Sequence, residues 1–158
     1  MAPSAPQDLV RFRISGRRYA LPAAVVREVI QMVEPTPIPS WPARALGLME
    51  LRGELFPLVD LSDVLGLAPL AVSAAQFILV VLAPDRTWGV VVDVVDSVVS
   101  VPVEPPLALS ASRLLDTAAL SLGVVVDEQG PWVVLAPELL FAALEVPMQT
   151  SLPHEAAS

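Results

Sequence analysis

The sequence predicts an all-β fold of two small barrels packed side by side, with short helices. Apolar and polar residues alternate near the N-terminus, and short Val-rich runs recur between turn signals farther along the chain. In addition, a plan of strand, polar turn, strand and short helix occurs twice, over residues 47–65 and 123–140. The chain has 158 residues, of which 54% are hydrophobic, so it can fill the cores of such a fold.

The N-terminal segment predicts a hairpin. The sequence does not decide whether the next element is a helix or a strand. In residues 10–14 apolar positions alternate with arginines, which is typical of a half-buried strand, and residues 16–18 turn the chain into a second strand. The following run can form a short helix that passes into a strand. Helical spacing would place Val26, Val29 and Ile30 on one side of it.

A proline-rich loop follows. Four prolines between residues 35 and 42 break regular structure and predict a connecting loop. Trp41 in this loop is either a surface anchor or an intramolecular plug. For Trp88 and Trp132, which lie in predicted strands, we expect burial in the core.

The most informative stretch is residues 47–61, where two apolar strands flank a charged Arg-Gly-Glu turn at residues 52–54. This pattern predicts a hairpin. A short helix over residues 63–65 is expected to follow it, with Asp60 or Ser62 as its cap.

Residues 64–84 carry no charge, and a hydropathy window would flag them as a membrane span. Polar residues and Pro69 interrupt the run, so a loop followed by a buried strand at residues 77–82 fits better. Further Val-rich strands at residues 88–92 and 97–101 then predict an antiparallel meander.

The C-terminal part predicts a second hairpin and a closing helix. Strands at residues 121–126 and 132–135 flank a polar turn that ends at Gly130. Pro137 suits the first position of a helix that ends near Glu145.

These elements place one domain at residues 9–146, with disordered segments at residues 1–8 and 147–158. The N-terminal segment has no basic region and no apolar region of the kind found in secretory signals. We therefore expect a cytoplasmic protein.

Composition disfavours several classes of function. The net charge of −8 with only nine Lys and Arg residues disfavours nucleic-acid binding. The chain has no cysteine and a single histidine, His154, which removes thiol chemistry and His/Cys metal sites. The pairs Asp60/Asp63 and Asp93/Asp96 fit helix capping and turns better than catalysis. We predict no catalytic residue, no cofactor and no metal.

An ordered set of short motifs runs through residues 9–144. Its strongest part is Leu51-Arg52-Gly53 followed by Pro57 and Asp60-Leu61, and residues 88–93 add a Gly-Val-Val-Val-Asp strand. In this order the chain resembles the CheW family of chemotaxis adaptors. The resemblance implies two intertwined five-stranded SH3-like barrels and a scaffold without catalytic activity. It also implies two partners, the signalling tip of a chemoreceptor and a CheA-type histidine kinase, with membrane contact only through the receptor.

By position, the resemblance implies a set of receptor-side residues in the first half of the chain. They are Val26, Glu28, Val29, Gly47, Glu50, Arg52 and Gly53. Physical reasoning adds an apolar groove for a partner helix beside Val26 and Val29, and an ion pair between Arg52 and Glu28. Alternatively, Arg52 only completes the hairpin and covers apolar surface.

The second half departs from the family pattern. Residues 134–137 lack the Leu-Asp pair that usually precedes the last helix, and residues 107–120 match the usual linking segment poorly. One alternative is therefore an adaptor that binds receptors but not the kinase. An alternative from another class is a small β-barrel that holds an apolar ligand in an interior cavity.

Overall fold

The structure, a computed structural model, describes residues 5–103, 120–128 and 130–144. These residues form ten β-strands, one 3₁₀ turn and one α-helix. In chain order they are β1 (Gln7–Ile14), β2 (Arg17–Pro22), the 3₁₀ turn (Ala23–Val25), β3 (Val26–Gln31), β4 (Ala45–Leu51), β5 (Glu54–Val59), β6 (Phe77–Leu82), β7 (Thr87–Val92), β8 (Val94–Val101), β9 (Ser121–Asp127), β10 (Gly130–Leu135) and α1 (Pro137–Leu144). The predicted tail at 147–158 and nearly all of the linking segment 107–120 lie outside the described residues.

The strands form two five-stranded sheets. The central barrel has the strand order β3-β6-β7-β5-β4, and the terminal barrel has the order β8-β1-β2-β10-β9. Neighbouring strands are antiparallel except for β5 beside β7 and β10 beside β2, which are parallel. This arrangement confirms the predicted all-β fold of two small five-stranded barrels.

The two halves of the chain build both barrels to the same plan. In the terminal barrel the β1–β2 hairpin takes the places that the β6–β7 hairpin takes in the central barrel, and β8, β9 and β10 correspond to β3, β4 and β5. Each half therefore gives a hairpin to one barrel and three strands to the other. The exchange intertwines the barrels, and it explains the repeated plan at residues 47–65 and 123–140.

Most of the apolar core lies between the barrels. Side chains from β1, β2 and β10 meet those from β5, β6 and β7 in one cluster, to which α1 adds Leu140. Each barrel also encloses a smaller cluster, with Phe56 and Val80 in the central barrel and Leu9 and Val134 in the terminal barrel. The side chains of both smaller clusters are buried, from 0% to 7% exposed.

The three tryptophans are all buried. Trp88 and Trp132 lie in strands, as predicted. Trp41 is 8% exposed and belongs to the cluster between the barrels. The proline-rich loop is thus held down by an intramolecular plug.

The predicted antiparallel meander is wrong at its third strand. β6 and β7 form an antiparallel hairpin, but β8 pairs with β1 in the other barrel. Only Asp93 separates β7 from β8, and a tight reversal between antiparallel strands needs a loop of at least about two residues. The chain therefore runs on into the terminal barrel.

The structure differs from the prediction at both of the expected short helices. The segment after Pro22 is helical only as the 3₁₀ turn, and β3 begins at Val26. Pairing with β6 imposes a period of two, so Val26 is half-buried while Val29 is exposed, and the two do not share a helical face. The expected helix at residues 63–65 is a series of turns instead.

The first strand begins inside the segment that was expected to be disordered. β1 begins at Gln7, which pairs with Val101, so the strand includes the last two residues of the segment 1–8 expected to be disordered.

In the described part of the chain, no helix combines the length and apolar character needed to cross a bilayer.

Candidate partner-binding site

The β4–β5 hairpin presents Arg52 at its tip. Leu51 pairs with Glu54, which leaves a two-residue turn in which Arg52 has φ 50° and Gly53 has φ 84°. Positive φ at both positions is typical of the type I′ turn that fits the twist of a hairpin. A left-handed conformation costs an L-residue about 1 kcal/mol, so arginine is not the residue that the turn itself favours.

Arg52 heads a chain of polar contacts across the end of the central barrel. It pairs with Glu28 on β3, as predicted. Glu28 also lies 3.5 Å from Arg27, which in turn pairs with Glu54 at 2.8 Å. Thr87 on β7 donates its hydroxyl to Glu54 at 2.7 Å. Two cations and two anions therefore form one neutral surface network.

A β-bulge places Arg27 in this network. Val26 pairs with Val81 and Glu28 pairs with Val80, so Arg27 has no partner residue on β6 and the strand is locally offset. This offset lets Arg27 and Glu28, neighbours in sequence, both reach the same cluster of charges. Arg27, Glu54 and Thr87 were not among the predicted site residues, and Arg27 was missed because a bulge leaves no signal in the sequence.

The network holds Glu54 in its ionised form. The hydrogen bond from Thr87, followed by that from Arg27, lowers the pKa of the Glu54 carboxyl below its ordinary value of 4.5. Exposed ion pairs contribute little to stability, typically about 0–1 kcal/mol each. The network therefore matters chiefly for the shape and charge pattern of the surface.

The most exposed cation of the network is Arg52, whose side chain is 67% exposed. Leu82 pairs with Thr87 and so shares its face of the sheet, whereas Val29 and Leu55 follow Glu28 and Glu54 in their strands and point to the opposite face. The side chains of Val29, Leu55 and Leu82 are 42%, 53% and 41% exposed, respectively. We call the four network residues Glu28, Arg27, Arg52 and Glu54, together with Leu82, the Arg52 surface.

The other predicted site residues are placed differently. Gly53 is exposed with open space around it, whereas Gly47 is buried. A Cβ at Gly47 would overlap the carbonyl of Thr36, whose backbone bonds Leu48 in both directions at 2.8 Å. Gly47 thus allows the proline-rich loop to approach β4. Glu50 is exposed on β4 opposite Leu55.

The aspartates considered for catalysis are occupied by structural hydrogen bonds. Asp60 is buried and accepts from the Ser62 amide at 2.8 Å, the Ser62 hydroxyl at 2.6 Å and the Leu70 amide at 3.0 Å. Asp93 accepts from the Ser15 amide at 2.7 Å and from Gln76 at 2.9 Å. Within the described ranges, no three acidic or histidine side chains are grouped as a metal site would require.

Comparison with known proteins agrees with this architecture. The family model of the CheW-like domain matches residues 8–145. The chemotaxis protein CheW of Rhizobium meliloti is 32% identical over 95 residues, which are 60% of this chain and 61% of that protein. This chain thus covers less than two thirds of that relative's length. Protein PilI of Pseudomonas aeruginosa is 30% identical over 137 residues, which are 83% of this chain and 73% of that protein.

Among solved structures, the scaffolding protein TtCheW from Thermoanaerobacter tengcongensis superposes with a TM-score of 0.74. The two sequences are 26% identical, and the match covers 86% of this chain and 92% of that one.

Proposed function

The chain belongs to the CheW-like domain family, and from that membership we propose that it is a scaffold that couples chemoreceptors to a CheA-type histidine kinase. The observation that carries the proposal is the Arg52 surface, a neutral ion network with one prominent cation and an exposed leucine on the same face. In such a scaffold function arises from presenting surfaces to partners, and no bond is made or broken. The proposal places the protein in the cytoplasm, where the receptor signalling tips lie.

On the receptor side, the proposed contact is the Arg52 surface. The exposed side chain of Leu82 beside the network offers apolar area that an amphipathic helix can contact. Arg52 can donate several hydrogen bonds in a fixed fork to an acidic or amide side chain of that helix. The ion pair with Glu28 already restricts the Arg52 side chain, so less conformational entropy is lost when a partner binds.

The terminal barrel supports the proposal that the chain binds the kinase as well as the receptor. Although residues 134–137 lack the usual Leu-Asp pair, β10 continues to Leu135 and α1 begins directly at Pro137. Proline is well suited to the first position of a helix, since its missing amide would have no partner there. The barrel keeps five strands, which favours a two-partner scaffold over a receptor-only adaptor.

The test is a capture experiment with the purified chain on a support. A soluble fragment of a chemoreceptor signalling tip and a CheA-type kinase, both from the organism that supplies this chain, are offered separately. We expect both to be retained. Retention of the receptor fragment alone would support the receptor-only alternative, and retention of neither would overturn the proposed function.

A further inference from the structure

A second charged site lies at the end of the terminal barrel that carries the β1–β2 and β9–β10 turns. Side chains from β1, β8, β9 and β10 enclose an open cleft of about 370 Å³. Its lining residues are Arg11, Arg13, Asp96, Asp127, Glu128 and Trp132. The cleft is therefore comparable in volume to small-molecule sites, which span roughly 300–1,000 Å³.

Three guanidinium groups gather around the buried ring of Trp132. Those of Arg11, Arg18 and Arg13 lie 4.4, 5.2 and 6.0 Å from the ring centroid. Stacking of this kind favours a fixed orientation of the cations. Asp127 ties the group together, since it accepts from Arg11 at 3.0 Å and from the Trp132 indole at 2.7 Å.

The cleft has more hydrogen-bond donors than acceptors. Asp96 binds Arg13 through Nε and Nη2, at 3.2 and 3.1 Å, and these bonds leave Nη1 of Arg13 outside the pair. The Nε atom of Arg11 is buried without a hydrogen-bond partner, a state that costs roughly 1–3 kcal/mol. The third carboxylate, Glu128, is exposed at the rim of the cleft.

The central barrel shows that the fold does not need these charges. Arg11 pairs with Ala20 beside Val134, and at the corresponding place Val80 pairs with Gly89 beside Leu58. Arg11 thus occupies the position that a fully buried valine fills in the other barrel. The same alignment matches Trp132 to Phe56.

The bulges in the two barrels correspond as well. β8 is offset at Asp96, between Val95 and Ser97, as β3 is offset at Arg27. The cleft therefore lies where the ion network of the Arg52 surface lies in the central barrel, with a different set of charges.

We propose that this cleft binds the oxyanion group of a small molecule, either a phosphate or a carboxylate. Guanidinium forks match both groups geometrically, and an acceptor oxygen in the cleft could bind Nη1 of Arg13, which the bonds to Asp96 do not use. Four of the nine basic residues lie on β1 and β2, although the chain carries −8 overall. The site lies in the other barrel from the Arg52 surface, so it does not depend on receptor binding.

The probes are pyrophosphate and citrate, each titrated at constant ionic strength against the full chain. The readouts are the NMR signal of the Trp132 indole N–H, which reports on Asp127, and the temperature of unfolding. We expect one probe or both to shift this signal saturably, with a dissociation constant of about 1 mM or below. A response to pyrophosphate alone assigns a phosphate ligand, and a response to citrate alone assigns a carboxylate ligand.

Three variants separate binding from a purely structural role. Arg13→Gln removes a partly exposed donor and should weaken binding at least about 10-fold, which corresponds to 1.4 kcal/mol. Glu128→Gln removes the anion at the rim and should strengthen binding, a gain that loss of structure cannot produce. Arg86→Gln is the matched control, since Arg86 also stacks on a tryptophan, Trp88 at 5.3 Å, but lies outside the cleft.

The proposal is overturned if neither probe moves the Trp132 signal at constant ionic strength. It is equally overturned if the Arg13 and Arg86 variants respond alike, because the effect would then be general screening of surface charge.

Discussion

At the scale of single residues, Arg52 and Arg27 illustrate what the sequence can and cannot predict. The pair between Arg52 and Glu28 was predictable, because a turn residue among apolar strands has few charged partners within reach. The contacts of Arg27 with Glu28 and Glu54 depend on the bulge in β3. A bulge changes the strand register by one residue without any change in composition, so these contacts could be known only from the structure.

Two glycines of the predicted site should differ in their effects on stability. Gly47→Ala introduces a Cβ that overlaps the Thr36 backbone, at a residue with φ 150°. We expect it to lower the free energy of unfolding by about 2–4 kcal/mol, as overpacking combined with strain does. Gly53→Ala is the matched control with open space around it, and it should cost only about 1 kcal/mol for its positive φ. Urea unfolding of both variants measures the difference, and equal losses would contradict the close approach of the loop.

The hydroxyl of Thr87 should control the ionisation of Glu54. Thr87→Val removes the largest cause of the lowered pKa, so the pKa of Glu54 should rise toward its ordinary value of 4.5. Because the folded-state pKa is the lower one, the stabilisation exists above pH 4.5 and is lost as the pH falls through the folded value. Carboxyl NMR titration of both proteins checks this, with Ser40→Ala as a distant hydroxyl control. An unchanged Glu54 titration would show that Thr87 does not bond it in solution.

At the scale of elements, local signals predicted the hairpins and missed the pairing between them. Short-range patterns predicted the first two turns at residues 16–18 and 52–54, close to their observed places at 15–16 and 52–53, and they also predicted the β9–β10 hairpin. The start of α1 at Pro137 was predicted for the same reason. The partner of β8 depends on the length of the β7–β8 connection, which is not visible when each strand is identified by its own composition.

Asp93 holds the crossing between the barrels in place. Its carboxylate accepts from the β1–β2 turn at Ser15 and from Gln76 just before β6, so it links both barrels. Asp93→Ala removes an acceptor from the buried side chain of Gln76, while water can replace it at the exposed Ser15 amide, and should cost about 1–3 kcal/mol in the free energy of unfolding. Asp85→Ala, at an exposed turn, should change it by less than about 0.5 kcal/mol. Comparable losses in the two variants would mean that Asp93 is not a link between the barrels.

At the scale of the whole molecule, the residue pattern predicted two barrels, and only the family resemblance implied that they are intertwined. The repeated plan at residues 47–65 and 123–140 indicated two similar units, yet such a repeat is equally compatible with two barrels in succession. The terminal barrel instead joins β1 and β2 to β8, β9 and β10 across most of the chain. Long-range pairing of this kind is set by the shared core between the barrels, which no local segment contains.

The shared core predicts that the two barrels unfold together. Trp88 reports on the central barrel and Trp132 on the terminal barrel. The test uses two variants, each of which keeps one of these tryptophans and has phenylalanine in place of the other two. In each variant, the urea midpoint measured by tryptophan fluorescence should coincide with the midpoint measured by circular dichroism. A fluorescence midpoint that differs from the circular-dichroism midpoint in either variant would contradict a single cooperative unit.

The central claim, that the Arg52 surface docks onto a chemoreceptor, is tested most directly by titrating a receptor signalling-tip fragment with the Arg52→Asn variant. Asparagine tolerates the positive φ of this turn, so the variant should retain its unfolding midpoint while losing the guanidinium. We predict at least about a 10-fold rise in the dissociation constant, or 1.4 kcal/mol, with no change for Arg86→Gln. Unchanged receptor affinity in a folded Arg52→Asn protein would contradict the claim.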